Sequence, residues 1–89
     1  MTYSRLGYAD RMNSPQCRAS RGLLAWTQNK LARVAGVSIV TVQNFENEKT
    51  TPQRASLDII RRALESAGVE FIAENGGGPG VRLRKEKKP

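Results

Sequence analysis

The apolar residues of the segment 27–46 change phase at one glycine, Gly36, as two packed helices require. Three small or branched residues before Gly36 fall on one helical face, and two apolar residues after it fall on a second face. The residues of the two faces are Leu31, Ala32 and Ala35, and then Val42 and Phe45. The pattern therefore predicts two short helices that meet at a tight corner.

The residues between the two helices favour such a corner. Gly36 can adopt the positive φ that ends one helix, and Ser38 can cap the free amides of the next. Thr27 can cap the first helix in the same way. Because Ala32 and Ala35 are small, the helices can approach closely and cross steeply. The outer face of the second helix is then left free.

That outer face carries Ile39, Val40, Gln43 and Asn44, none of which is charged. Amide side chains can pair with adenine and methyl groups can pack on thymine, so the face suits base edges in DNA. An ordinary corner between two core helices is the alternative, since helix pairs joined by glycine are common. The spacing alone leaves both interpretations open.

Other periodic segments complete the predicted architecture. Ser14 and Pro15 signal a helix through about residue 25, and the segment 55–67 predicts an amphipathic helix that ends at Gly68. The segments 69–73 and 81–84 have strand composition, and a glycine-rich loop over 74–80 joins them as a β-hairpin. We predict four regions, which are a flexible arm 1–13, a helical domain 14–68, the hairpin 69–84 and a basic tail 85–89.

The motifs of the helical domain resemble those of a known family. They are Gln28, Leu31-Ala32, Ala35-Gly36-Val37-Ser38 and Phe45-Glu46-Asn47. The segment from about residue 15 to about residue 68 resembles the helix-turn-helix of the phage Cro and C1 repressor type, the XRE family. The resemblance implies a mainly α, lambda-repressor-like helix-turn-helix bundle of about four helices, here followed by the C-terminal β-hairpin. The hairpin departs from the best-known phage repressors, which continue with further helix.

The resemblance also assigns roles to residues. It implies base reading by the outer face of the second motif helix, Ile39, Val40, Gln43 and Asn44. It places an Arg21–Glu46 pair between the first helix and the reading helix. Residues expected at the DNA backbone are Thr27, Gln28, Lys30, Ser38, Thr41, Lys49, Thr50, Thr51 and Arg54. Relatives often have Glu where Lys30 stands, so a capping box is missing at the start of the first motif helix. They more often have Gly where Glu48 stands, so we expect a slightly different shape at the end of the reading helix.

Composition restricts the chemistry that the chain can perform. The 15 Lys and Arg against 8 Asp and Glu give a net charge of +7, which favours a polyanionic partner. The chain has no His and one Cys, Cys17, so a His-based active site, a Cys/His zinc site and an internal disulfide are excluded. We expect Cys17 to be a buried core residue. We expect no enzyme activity, no cofactor and no metal.

Two further features bear on location and on the glycine run. No apolar run could span a bilayer and the N-terminus lacks a signal-peptide pattern, so we expect a cytoplasmic, DNA-associated protein without a membrane partner. The glycines of 74–80 lack the Lys-Ser/Thr ending of a P-loop, which favours a flexible turn.

These features together predict a sequence-specific transcriptional regulator of double-stranded DNA. We expect a repressor that binds a palindromic operator as a homodimer, with reading helices about one turn of DNA apart. The alternatives are an antitoxin that binds DNA and a toxin protein, or a protein-interaction module without base readout. Residues expected to form the dimer contact are Val69, Phe71, Val81 and Leu83 of the hairpin. The domain's own helices could instead cover them.

Overall fold

The structure, a computed structural model, describes residues 12–84 of the chain. It contains four helices followed by a two-stranded antiparallel sheet, which confirms the predicted mainly α fold with a C-terminal hairpin. The elements are α1 (Ser14–Leu24), α2 (Gln28–Ala35), α3 (Ile39–Glu46), α4 (Arg54–Ser66), β1 (Val69–Ile72) and β2 (Gly80–Leu83). The predicted basic tail and most of the predicted arm lie outside the described residues.

A single hydrophobic core joins all four helices to the first strand. The helical faces predicted from periodicity supply most of it, and Cys17 is fully buried there as expected. Its buried residues are Met12, Cys17, Leu31, Ala32, Val42, Phe45, Leu57, Ile60, Leu64 and Val69. Each helix thus buries one face, and the opposite faces of the helices remain available.

The folded domain begins earlier than predicted. Met12 is 3% exposed and belongs to the core, so it is not part of a loose arm. The N-cap of α1 is Asn13 and not Ser14, because the Asn13 side chain accepts from the Gln16 amide at 2.8 Å while the Gln16 side chain accepts from the Asn13 amide at 3.0 Å. This reciprocal pair is a capping box, so Ser14 becomes the first helical residue.

The corner between α2 and α3 forms as predicted. Gly36 follows α2 with φ +77°, and the Ser38 hydroxyl accepts from the Thr41 amide at 3.0 Å to open α3. At the start of α2, the Thr27 hydroxyl accepts from the Lys30 amide at 3.0 Å. Both motif helices therefore begin at a hydroxyl cap, and the turn between them is fixed by one left-handed residue.

The hairpin packs on the domain to which it belongs. Val69 pairs with Leu83 and Phe71 with Val81, so these four side chains share one face of the sheet. Val69 is fully buried, Phe71 and Val81 pack against the core, and Leu83 is 46% exposed. The helices thus cover three of the four residues that we expected at a dimer contact, and Leu83 is the one left accessible.

The connection between the strands has hydrogen bonds to a side chain of its own. The Glu74 carboxylate accepts from the amides of Gly76 and Gly78 at 3.0 and 3.1 Å. Gly76 and Gly78 both have positive φ, of 103° and 91°. The loop therefore surrounds a carboxylate of its own chain, in the place where a phosphate-binding loop would hold its ligand.

Candidate nucleic-acid interface

The end of α3 is fixed by a buried carboxylate. Glu46 is 2% exposed, and Arg21 of α1 binds it with two parallel hydrogen bonds, from Nε to Oε2 at 2.7 Å and from Nη2 to Oε1 at 2.6 Å. Gln28 Nε2 donates to Oε1 at 3.0 Å, and Cys17 Sγ donates to Oε2 at 3.2 Å. The Arg21–Glu46 pair implied by the resemblance is thus present, and α1 and α2 both hold α3 in place through it.

The protonation state of this cluster follows from its contacts. Burial by itself raises the pKa of Glu46, but hydrogen bonds from Arg21, Gln28 and Cys17 together with the Arg21 charge outweigh it, so that the pKa lies below its usual value. The pKa of Arg21 is raised, chiefly by its hydrogen bonds to Glu46. Glu46 is therefore an ion at neutral pH, with its charge balanced inside the fold.

The outer face of α3 carries the residues expected to read bases, with unequal exposure. Val40 is 55% exposed and Gln43 is exposed, whereas Asn44 is half-buried. Ile39 differs from the expectation of a free side chain, because it packs partly against the core. The accessible surface of α3 is therefore centred on Val40 and Gln43, with Asn44 and Ile39 at its margins.

Three hydroxyls expected at the DNA backbone are already used in local caps. Thr27 caps α2, while Ser38 caps α3 and its hydroxyl lies 3.1 Å from that of Thr41. A hydroxyl that accepts from an amide can still donate its own hydrogen, so capping does not prevent a phosphate contact. These three residues lie at the starts of α2 and α3.

Gln28 does not expose its amide as expected. Its Nε2 turns inward to Glu46 at 3.0 Å, and the side chain is half-buried. Sequence reasoning missed this contact because it joins the start of α2 to the end of α3. Any interaction of Gln28 with phosphate would have to use the part of the amide group that Glu46 leaves free.

The loop between α3 and α4 presents a row of exposed polar residues. They are Lys49, Thr50 and Thr51, and the row continues with Arg54 at the first position of α4. The loop is shaped by Glu48, which has φ +62°, and by the amides of Lys49 and Thr50, which donate to the Asn44 carbonyl at 2.8 and 3.4 Å. The left-handed conformation of Glu48 explains why relatives favour glycine there. Here the Glu48 side chain accepts from the Ser14 hydroxyl at 2.8 Å.

Two cation contacts beside this surface were not anticipated. The exposed Arg18 of α1 donates from Nη1 to the Glu46 main-chain carbonyl, where the end of α3 favours a positive charge. The Lys30 ammonium lies 5.7 Å from the centre of the Trp26 ring. Spacing offered a signal for Arg18, which lies three residues before Arg21 on α1 and so shares its face.

Within residues 12–84, no three His, Cys, Asp or Glu side chains are grouped so that they could hold a metal ion. None of the helices in the same range is long and apolar enough to cross a membrane.

Comparison with known families identifies the arrangement. A helix-turn-helix family model of the Cro/C1 type matches residues 18–71, which include most of α1 and all of α2, α3 and α4. The comparison with curated proteins gives no match. The family is one of DNA-binding regulators and not of enzymes. With its capped corner and its buried Arg21–Glu46 pair, the chain belongs to the Cro/C1-type helix-turn-helix family of DNA-binding transcription regulators.

Proposed function

We propose that this regulator recognises a specific sequence by placing α3 in the major groove of DNA. The proposal rests on the charge pattern of that helix. Glu46 is the one charged residue of α3, and it is turned inward and paired with Arg21. The exposed side of the helix is consequently neutral. DNA phosphates do not repel such a face, and it also lacks the positive charge that would bind every sequence alike.

Recognition would fall mainly on the accessible residues of this face. Gln43 can pair with the donor and acceptor of adenine, a contact that discriminates by about 1–3 kcal/mol, and Val40 can pack against a thymine methyl group. Asn44 and Ile39 would contribute from the margins, in proportion to their smaller exposure. Because only a few side chains reach out, each half-site should be short.

Cations flank the neutral face and would hold the helix against the DNA backbone. Lys49 is exposed on the loop that follows α3, Arg54 is exposed at the first residue of α4, and Lys30 lies near the start of α2. Such contacts add affinity for any sequence and set the register of the reading helix. The hydroxyls of Thr50 and Thr51 extend the same row.

We further propose that the protein acts as a homodimer and represses transcription. A second copy would place a second α3 about one turn of DNA away, which short half-sites require for high specificity. Leu83 is the accessible apolar residue of the hairpin face, and within residues 12–84 the outer edge of β2 pairs with no other strand. A two-fold contact through this edge would bury Leu83 and satisfy the strand.

Selection of bound sequences from a random pool of double-stranded DNA tests base readout and dimerisation together. Enrichment of a palindrome with half-sites about one turn apart supports both parts of the proposal. Enrichment of a single half-site supports base readout and contradicts the dimer. Salt-dependent binding without enrichment would instead favour an interaction module with an acidic partner.

Repression is tested separately with a promoter that carries the selected site. Transcription from this promoter should fall when the protein is present, and increased transcription contradicts repression.

The dimer contact needs a separate test that leaves the core intact. Deleting the hairpin would remove the buried Val69, so a truncated chain would confuse loss of dimer with loss of fold. Leu83→Glu is the cleaner change, with Ile59→Glu as a control of similar exposure, 46% against 43%, on α4. We expect Leu83→Glu to sediment as a monomer and Ile59→Glu to remain a dimer. The opposite result places the interface on the helices.

A further inference from the structure

Trp26, the single tryptophan of the chain, lies just before the first motif helix, and both of its main-chain groups are hydrogen-bonded. Its amide donates to the Arg21 carbonyl at 2.9 Å, and its carbonyl accepts from Arg21 Nη1 at 3.1 Å. Its ring is half-buried and packs against the core. The same arginine that binds Glu46 therefore fixes the backbone on both sides of this ring.

The ring lies close to a lysine in the first turn of α2. Lys30 Nζ lies 5.7 Å from the ring centre, within the range of a cation–π contact. Lys30 is in the first turn of α2, where free amides already create positive potential and no acidic residue compensates it. A lysine here opposes helix stability, and the ring offers its cation a favourable neighbour.

We propose that Trp26 is a positioning residue that holds the Lys30 ammonium at the start of α2 for contact with a DNA phosphate. This inference rests on the proposed function of the α2–α3 surface. A free lysine side chain loses much rotamer entropy when it is fixed against a phosphate. The aromatic face restricts the Lys30 side chain before DNA binds, so part of this rotamer entropy is already lost when the protein folds. DNA affinity for every sequence therefore depends on Trp26, although the ring itself contacts no DNA.

Binding of the full-length protein to its selected operator and to random DNA tests this role. Three substitutions are made singly and in pairs: Trp26→Leu, Lys30→Gln, and Arg33→Gln as a control at the exposed far end of α2. Each affinity is measured over a range of salt concentrations. Circular dichroism gives the folded fraction of each variant under the same conditions, so that affinities are compared among folded molecules.

We expect Lys30→Gln to reduce the salt slope by about 0.9 and to weaken binding about fivefold at 0.15 M salt, equally for operator and random DNA. Trp26→Leu should weaken binding about two- to fivefold when Lys30 is present and should have no effect in the Lys30→Gln chain. In the Arg33→Gln chain, Trp26→Leu should keep its full effect. Trp26→Phe, which retains a weaker aromatic face, should restore part of the affinity.

Three results would overturn the inference. Equal effects of Trp26→Leu with and without Lys30 would mean that Trp26 acts only on the fold, and an unchanged salt slope in Lys30→Gln would mean that Lys30 touches no phosphate. If Trp26→Leu does not fold, Trp26→Phe replaces it in the same cycle, and a lack of coupling to Lys30 is again decisive. If the unmodified protein selects an operator, the proposed function stands and a failed mutant cycle overturns this inference alone. Absence of any DNA binding overturns both.

Discussion

Replacing Arg21 by methionine should destabilise the domain by about 3–5 kcal/mol, because it leaves a buried carboxylate without its counter-ion. The Glu46 side chain is 1% exposed, and Arg21 supplies two of the hydrogen bonds to its oxygens. After the substitution, Gln28 and Cys17 remain as donors, but neither carries a positive charge. Small domains have a total stability of about 5–15 kcal/mol, so urea denaturation monitored by circular dichroism should show the loss clearly.

A double-mutant cycle separates the pair from the rest of the contacts. Arg21→Met with Glu46→Met removes both charges and should be more stable than Arg21→Met alone, with a coupling of at least about 2 kcal/mol. The bond from Arg21 to the Trp26 carbonyl is lost in both variants and cancels from the coupling. Arg82→Met is the control, since its pair with Glu70 is 67% and 43% exposed and should contribute less than about 1 kcal/mol.

The pH dependence supplies a second signature with a definite sign. The folded protein holds the pKa of Glu46 below its usual value, so this group stabilises the unmodified protein above the unfolded pKa, and the contribution is lost as pH falls through the folded pKa. Without Arg21, burial dominates and raises that pKa, so Arg21→Met should become more stable as pH falls from 7 to 5. Additive effects in the cycle, together with an unchanged pH profile, would refute the reasoning.

Three further predictions concern other parts of the molecule. Ala25→Gly should stabilise the domain by about 0.5–1 kcal/mol, because the exposed Ala25 ends α1 at φ +58°, where glycine is less strained than alanine. Ala19→Gly within the same helix should destabilise the domain by a similar amount. Thermal melts measure both variants, and stability changes of the same sign would contradict the argument. Lys49→Gln or Arg54→Gln should weaken binding to all DNA sequences alike and reduce the salt slope by about one unit or less, so a changed sequence preference would reassign either residue to base readout. Gln43→Ala should flatten preference at one base pair of the selected operator while the melting temperature stays within error, and an unchanged preference would exclude Gln43 from recognition.

The sequence predicted those parts of the fold that depend on neighbouring residues. The Gly36 turn, the Ser38 cap and the buried stripe of α4 each follow from spacing within a few residues. The start of α1 was misplaced although its signal was local. Asn13 and Ser14 are both good caps, but only Asn13 has a glutamine three residues later to complete a capping box.

Features that depend on long-range packing could not be predicted in this way. The inward turn of Gln28 joins residues 18 positions apart, and the partial burial of Ile39 depends on how α3 sits on the core. Hairpin residues had two possible partners, a second copy or the same domain, and alternation of apolar residues is identical in both cases. The burial of Val69 is decided by the position of α4 relative to β1, which sequence spacing does not specify.

Because Cys17 is buried, the rate at which its thiol is chemically modified can measure opening of the core. Its sulfur is inaccessible and donates to Glu46, and burial, followed by the bond to Glu46 and its charge, raises the pKa of the thiol, so the reactive thiolate scarcely forms in the closed molecule. An alkylating reagent can therefore modify the chain only after the core opens around Cys17. Because each chain carries one cysteine, one added mass marks one modified chain, and the rate of modification reports how much of the protein is open. The dependence of the modification rate on urea concentration would distinguish local opening of α1 from unfolding of the whole domain.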